Sequence, residues 1–405
     1  MDFRLRVQYD NIISDQDLRS FCEGIARAKI IAFDTEFVSE DSYQPDLCLI
    51  QVAAEGRMAI IDPLAVHDLS PFWNLLATPG KETLVHAGRE EFRFCLKGAG
   101  QRPSGWFDVQ LAAGLIGIEY PASYGNLAYK LLGKSLSKDE TRTDWRKRPL
   151  SQRQLEYALL DVMDLEAIRN VLYAELDRLG RLSWLAEELT SWQEMMELQE
   201  ASTEKWRRVG GLAGMSRRTL AVVRDLWIWR DAEAEQRNCP PRRILRDDLL
   251  IELAKRQTAD PKRIRSLRGM EHGGLQRHLA KIAAVIEQSL ELHDEDLPHS
   301  EKRNSRPQLN LLGQFLSTAL GSICRKANVA ASLVGTAQDV RDLIAYRLGL
   351  GGFADGELPT LATGWRAQVV GQVIDHLLAG DVSIRIVDPL ADEPLAFESR
   401  GERPA

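Results

Sequence analysis

No apolar run in this 405-residue chain approaches the ~20 residues needed to span a bilayer, which excludes a helical membrane span. The amino-terminal stretch Met1-Asp-Phe-Arg-Leu-Arg6 has no apolar core of the kind a signal peptide carries. A cytoplasmic protein with no membrane partner is therefore expected. Cysteine is scarce: five residues, at positions 22, 48, 95, 239 and 324, odd in number and never paired as C-x-x-C. That spacing excludes a disulfide framework and points to buried free thiols, as in the apolar run Leu47-Cys-Leu-Ile50. The seven histidines form no H-x3-H or H-E-x-x-H pair, so no zinc signature is present. Any metal must be held by oxygen.

What is present is enough apolar material, 44% of residues, to fill two or three domain cores. The net charge of −7 excludes a uniformly basic protein, yet residues 205–269 carry 17 Lys and Arg against 8 Asp and Glu. This stretch is +9 and leaves −16 for the remainder. Such asymmetry describes one basic module, able to face phosphate, joined to acidic partners.

Residues 29–37 read as a buried strand ending in acids, and 47–54 and 57–62 as two more strands separated by the turn-like Glu55-Gly56. Leu84-Val85-His86 suggests a fourth, leading into a helix near Gly88. Beyond residue 108 the pattern is helical over 109–117, 124–132 and 151–179. The expected class is α/β, with a mixed sheet in a first domain, residues 1–180. An all-α module follows over 206–292, then a polar linker around 293–307 and a second helical domain over 308–390, interrupted at Gly351-Gly352-Phe353. Residues 389–405 read as a frayed tail.

Asp34 and Glu36 stand two apart at the end of the first strand, so both carboxylates share one face of the sheet. Two acids that close are costly without a cation, and a hard divalent ion such as magnesium or manganese suits oxygen donors. Tyr157 and Asp161 are four apart on a helix expected over 154–170, about 6 Å of rise and one face. A phenol there can orient a water beside a metal-binding carboxylate. Each pair alone also fits an ordinary surface strand or helix.

Taken together, the segments Phe33-Asp34-Thr35-Glu36-Phe37, Trp106-Phe107-Asp108, Lys138-Asp-Glu-Thr-Arg-Thr-Asp144-Trp145-Arg-Lys-Arg-Pro149 and Tyr157-Ala-Leu-Leu-Asp161 are similar to motifs of one family. Over residues 29–175 the sequence resembles the ribonuclease D family, the tyrosine-type branch of the DEDD 3′–5′ exonucleases. The resemblance implies a ribonuclease H-like fold and hydrolysis with two divalent cations, Mg2+ or Mn2+. Asp34, Glu36, Glu91 and Asp161 would then be metal ligands and Tyr157 the residue that positions the attacking water, and four carboxylates would offset two dications. The implied substrate is RNA with a free 3′ end, such as a transfer-RNA precursor, trimmed to mononucleotides.

The second motif, His86-Ala-Gly-Arg-Glu-Glu91-Phe92, departs from the pattern: the family places aspartate where this chain has Glu91. The carboxylate then sits about 1.5 Å further out, and a displacement near 1 Å can cost on the order of 10²-fold in rate. Reduced or retuned activity is expected.

Residues 206–292 resemble the helicase-and-ribonuclease-D C-terminal (HRDC) domain through Leu226-Trp227-Ile-Trp229-Arg230 and Pro240-Pro-Arg-Arg243-Ile-Leu-Arg246. The candidate phosphate contacts are Arg242, Arg243, Arg246, Lys255 and Arg256, followed by Lys262, Arg263 and Arg265. Such contacts position a strand without reading its sequence. The final helical region is more faintly similar to a second HRDC domain. Two alternatives stay open at this stage. Phosphodiester hydrolysis needs no 2′-hydroxyl, so DNA could be the substrate, or Glu91 could mark a nucleic-acid-binding adaptor with a weakened site. The oligomeric state is not legible.

Overall fold

The computed structural model describes residues 8–135, 143–270, 273–299, 307–350, 358–391 and 393–399. The charged segment Lys138–Arg142 and the Gly351-Gly352-Phe353 break lie outside the described residues.

The sheet is built around β2 (Ile30–Val38), whose Ile31, Ala32 and Phe33 are buried. Its neighbours are β1 (Asp10–Ile12), β3 (Asp46–Ala54), β4 (Arg57–Ile61), β5 (Glu82–Val85) and β6 (Trp106–Asp108). The six strands run in the order β1-β4-β3-β2-β5-β6. β3 and β4 pair antiparallel, whereas β1–β4, β2–β5 and β5–β6 are parallel, so the sheet is mixed as expected. Two strands escaped the sequence reading, β1 and β6. Each is three residues long, too short to show alternation.

Helices α1 (Asp15–Gly24), α2 (Ser70–Ala77), α3 (Arg89–Ala99), α4 (Val109–Gly114) and α5 (Tyr124–Leu132) follow in turn. The single helix expected over 154–170 is two, α6 (Gln152–Met163) and α7 (Leu165–Arg178), meeting at Asp164. α6 starts on a capping box: the Ser151 hydroxyl accepts from the Gln154 amide, and the Gln154 side chain accepts from the Ser151 amide. α8 (Leu182–Ala201) completes this region.

The chain divides into two compact units. One comprises Met1–Glu36, Leu47–Trp192 and Ser305–Ala405, the other Phe37–Asp46 and Gln193–Asn304. In the first, Phe33 meets Phe72, Trp73 and Trp106 edge-on under the sheet. Its carboxy-terminal part holds α15 (Pro307–Lys326), α16 (Ala331–Val334), α17 (Ala337–Arg347) and a helical stretch over 364–379. Buried Arg181 fastens this part, donating to the carbonyls of Leu115 and Asn328 at 2.7 and 2.8 Å. The stretch 389–405, expected to fray, supplies instead a strand, β8 (Leu395–Ser399), which pairs antiparallel with β7 (Val382–Ile386) just ahead of it. This part is therefore not all-α; backbone pairing across the strands stands in for the alternation that the sequence barely shows.

The second unit contains α9 (Arg217–Gln236), α10 (Pro241–Ile244), α11 (Asp247–Arg256), α12 (Pro261–Arg265), α13 (Gly273–Gln276) and α14 (Leu279–Glu291). They bury a core of its own around Trp206, Leu226, Leu250, Ile264, Ile282 and Ile286. Trp227 packs partly buried against it. The cysteines are free. Among the described residues no helix is long and apolar enough to cross a membrane.

Candidate active site

β2 pairs with β5 over Ile30–Ala32, opposite Glu82–Leu84, so Asp34 and Glu36 lie beyond that pairing, toward the carboxyl side of the strand. Strand alternation turns both to one face and Phe33 and Thr35 to the other. α6 brings Asp161 to the first face. The carboxylate oxygens of Asp34, Glu36 and Asp161 lie within 4.8 Å of one another. Tyr157, one turn earlier on α6, hydrogen-bonds Asp161, and its ring packs 6.3 Å from that of buried Trp145. Arg148 holds the segment ahead of α6, gripping both oxygens of Asp62 at 2.5 and 2.7 Å and the Trp145 carbonyl at 2.8 Å.

Glu91 is placed differently. It lies on the first turn of α3, 5% exposed, and its Oε1 accepts from the Thr35 hydroxyl at 2.5 Å. It is near enough to add its charge to Asp34 and Glu36, but it is not in the group whose oxygens lie within 4.8 Å. The turn that delivers it is tightly made. The Asp108 carboxylate accepts from the amides of Ala87 and Gly88 at 3.1 and 3.0 Å, and from Gln110 at 2.9 Å. Ala87 is held at φ +55, a left-handed conformation uncommon for alanine. A β-carbon on Gly88 would stand 2.4 Å from Val85 Cγ2.

Burial and mutual repulsion raise every acid here. Asp34 is pushed well above the ordinary carboxylate range by burial and the charges of Glu91, Asp161 and Glu36. Burial, then Asp161 and Glu91, push Glu36 up to about 8. Burial takes Glu91 to about 7 against the Thr35 hydrogen bond, and Asp161 to about 6 against that from Tyr157. The Tyr157 phenol is raised by burial and the neighbouring carboxylates, so at neutral pH it is a hydroxyl donor. Three oxygen-only ligands converging from two elements, each destabilised as an anion, form a donor set suited to a hard divalent cation.

Sequence reading missed three supporting residues. Gln51, fully buried on β3, donates to Asp34 Oδ2 at 2.9 Å, while its Oε1 finds no partner among the described residues. Its signal was available: a lone amide in the apolar run 47–54. Thr35 and Asp108 stand in segments similar to the family's motifs, but nothing local gave their roles, because their partners lie 56 and about 20 residues away.

The basic candidates sit in the second unit. Arg243 pairs with Asp41, Arg246 with Asp248 at 3.0 Å, and Arg256 with Glu252 at 2.8 Å. Arg242 and Lys255 have no ion pair among the described residues.

A family model described as a 3′-5′ exonuclease matches residues 9–177, and one for the HRDC domain matches 219–286. The chain is 32% identical over 380 residues to the ribonuclease D of Granulibacter bethesdensis, covering 93% of this chain and 94% of the relative. It is likewise 32% identical over 391 residues to the ribonuclease D of Zymomonas mobilis, 94% of this chain and 97% of that one. The crystal structure of Escherichia coli RNase D, an exoribonuclease involved in structured RNA processing, superposes with a TM-score of 0.82 at 28% identity over 92% of this chain and 99% of that chain. The mixed sheet with acids at the end of β2, the separate helical core and these likenesses over nearly the whole length agree: the chain belongs to the ribonuclease D family of divalent-metal-using 3′–5′ exoribonucleases.

Proposed function

We propose that Asp34, Glu36 and Asp161 hold two divalent cations, Mg2+ or Mn2+, with Glu91 contributing to the second, and that the chain hydrolyses the terminal phosphodiester at the free 3′ end of RNA, releasing mononucleotides. The observation that carries this reading is the convergence of three carboxylates, from β2 and α6, within 4.8 Å. Cations bound there supply charge neutralisation and Lewis acidity toward the scissile phosphate. The Tyr157 hydroxyl, fixed by its donation to Asp161 and by Trp145, orients the attacking water by accepting a hydrogen bond from it, and as a neutral phenol it does not take the water's proton. Gln51 holds the Asp34 carboxylate in one rotamer. Arg242, Lys255 and, once released from their acidic partners, Arg243, Arg246 and Arg256 hold the phosphates of the incoming strand. Processing of structured RNA by the Escherichia coli relative supports a precursor such as transfer RNA as substrate, and free buried thiols support work in the cytoplasm.

The test is purified protein with 5′-labelled RNA or DNA of free 3′ end, in Mg2+, Mn2+ or chelator. Stepwise shortening of RNA is expected, lost with chelator and in Asp34→Ala. Binding without shortening in either metal would leave the adaptor reading, and equal rates on DNA would remove the RNA assignment.

A further inference from the structure

Residues 143–149 lead into α6 with no helix or strand of their own, yet one side chain among them uses every donor it has. The Arg148 Nε donates to Asp62 Oδ2 at 2.5 Å, and its Nη2 donates to Asp62 Oδ1 at 2.7 Å and to the Cys48 carbonyl at 2.8 Å. Its Nη1 donates to the carbonyls of Trp145 and Lys147 at 2.8 and 2.9 Å. A guanidinium carries five N–H groups in a fixed planar fork, and each of them meets an acceptor here. Three of the acceptor oxygens belong to the sheet side: Cys48 lies on β3, and Asp62 follows directly on β4. Asp62 is buried, and its Oδ1 also accepts from the Leu64 amide at 2.9 Å. The other two oxygens belong to the loop, so Arg148 closes the loop on itself and bolts it to the strands. At the loop's start the Thr143 hydroxyl accepts from the Gln154 side chain, in the first turn of α6, at 3.0 Å.

What this loop carries to α6 is the Trp145 indole. Trp145 is buried, and its ring lies 6.3 Å from that of Tyr157 at an interplanar angle of 35°. A half-exposed tyrosine on a helix has more than one side-chain rotamer open to it. The bond to Asp161 restrains the Tyr157 hydroxyl, and the indole beside it restrains the swing of the ring. The indole in turn stands where its backbone puts it, and the Trp145 carbonyl is one of the two loop carbonyls that Arg148 holds. A lysine has three donors on a single nitrogen, so it cannot bond all five oxygens. Every residue in this chain of contacts lies within one compact unit.

We propose that Arg148 is a positioning residue for the nuclease: bonded to Asp62, to the Cys48 carbonyl and to the carbonyls of Trp145 and Lys147, it holds the Trp145 indole against Tyr157 and so fixes the phenol. This rests on the reading of Tyr157 as the residue that orients the attacking water.

The experiment uses the full chain carrying Arg148→Lys, Arg148→Ala, Trp145→Ala, Trp145→Phe, Tyr157→Phe or both Arg148→Lys and Tyr157→Phe, with thermal melting to confirm folding. Two sets of quantities are read: kcat and KM on 5′-labelled RNA, and Mn2+ affinity by paramagnetic resonance without RNA. Arg148→Lys, Arg148→Ala and Trp145→Ala are each expected to lower kcat roughly 5- to 50-fold, short of the ~10²-fold of a full 1 Å misplacement. KM for RNA and Mn2+ affinity should stay within about threefold, the pattern of an interaction that acts on the chemical step. Trp145→Phe, which keeps an aromatic wall, should retain more of the rate than Trp145→Ala. Adding Arg148→Lys to Tyr157→Phe should cost less than about twofold further, because the phenol's hydroxyl is already gone. Folded Arg148 variants with the original kcat overturn the proposal, as does a loss that multiplies with that of Tyr157→Phe or one matched by a fall in Mn2+ affinity. Should the Arg148 variants not fold, Trp145→Ala decides by the same criteria. If Tyr157→Phe leaves kcat unchanged, the reading of Tyr157 has failed, and the proposal falls with it.

Discussion

The Thr35 hydroxyl donates a 2.5 Å hydrogen bond to Glu91, seating on one face of β2 the acid that departs from the family pattern, while Asp34 and Glu36 occupy the other. The longer side chain is thus not adrift. It reaches across to a partner on β2, the strand that carries Asp34 and Glu36.

Glu91→Asp withdraws the carboxylate by about 1.5 Å and loosens its hold on Thr35. The expected result is a changed ratio of Mg2+- to Mn2+-supported rates, by about tenfold or more. Thr35→Val, which frees Glu91 without shortening it, should move the ratio too. Steady-state rates in each metal check this, and an identical ratio in both variants would show that Glu91 does not set metal geometry.

Metal-free protein should lose stability as pH rises. Glu36, Glu91 and Asp161 have folded values raised to about 8, 7 and 6, from ordinary values of 4.5, 4.5 and 3.8. The folded state therefore binds more protons than the unfolded one across that interval. Stability is complete below pH 3.8 with respect to these groups and drains away as pH climbs through 6 to 8. Each group costs about 1.4 kcal/mol per pH unit over which it titrates. Melting in chelator should fall by several degrees between pH 5 and 9, and Mg2+ at pH 8 should restore it. A flat profile in chelator would contradict the repulsion described.

Gln51→Leu removes the donor to Asp34 together with the unpartnered Oε1. Relief of a buried unsatisfied oxygen offsets the lost hydrogen bond, so stability should change by less than about 1 kcal/mol. Activity and Mn2+ affinity should nevertheless drop about tenfold, because Asp34 loses its orientation. Melting and metal titration on one preparation separate the two effects.

Arg242 and Lys255, which have no ion pair among the described residues, should matter more to RNA than Arg246 and Arg256, which already satisfy Asp248 and Glu252. Arg242→Ala should lower the slope of log K against log salt by about 0.7 for single-stranded RNA. Arg256→Ala should change it by less. Binding isotherms at several salt concentrations give the comparison.

Gly88→Ala places a β-carbon 2.4 Å from Val85 Cγ2 and 2.8 Å from Trp106 Cζ2. Overpacking of this kind costs about 1–3 kcal/mol, and it displaces the first turn of α3 with Glu91. Lower melting temperature and lower activity should appear together.

Much of the nuclease sheet was legible because strand and helix periodicity is written in short windows: the acids of β2 share a face by alternation, and Tyr157 and Asp161 by helical spacing. The helical unit was equally plain from its basic excess and apolar stripes. The break at Asp164 was hidden by an apolar pattern that passes through it unchanged, and the β7–β8 hairpin by strands of mixed polarity.

The sequence by itself determined which residues could carry the chemistry: an oxygen-only acid set, a phenol one helical turn away, and a basic segment set apart from acidic flanks. Only the tertiary structure decided which acids meet. Asp34, Glu36 and Asp161 converge, whereas Glu91 is diverted to Thr35 and Asp34 is held by Gln51. Those partnerships join residues 17 to more than 100 positions apart, a separation at which local pattern carries no information and strand pairing and helix packing alone fix the distance.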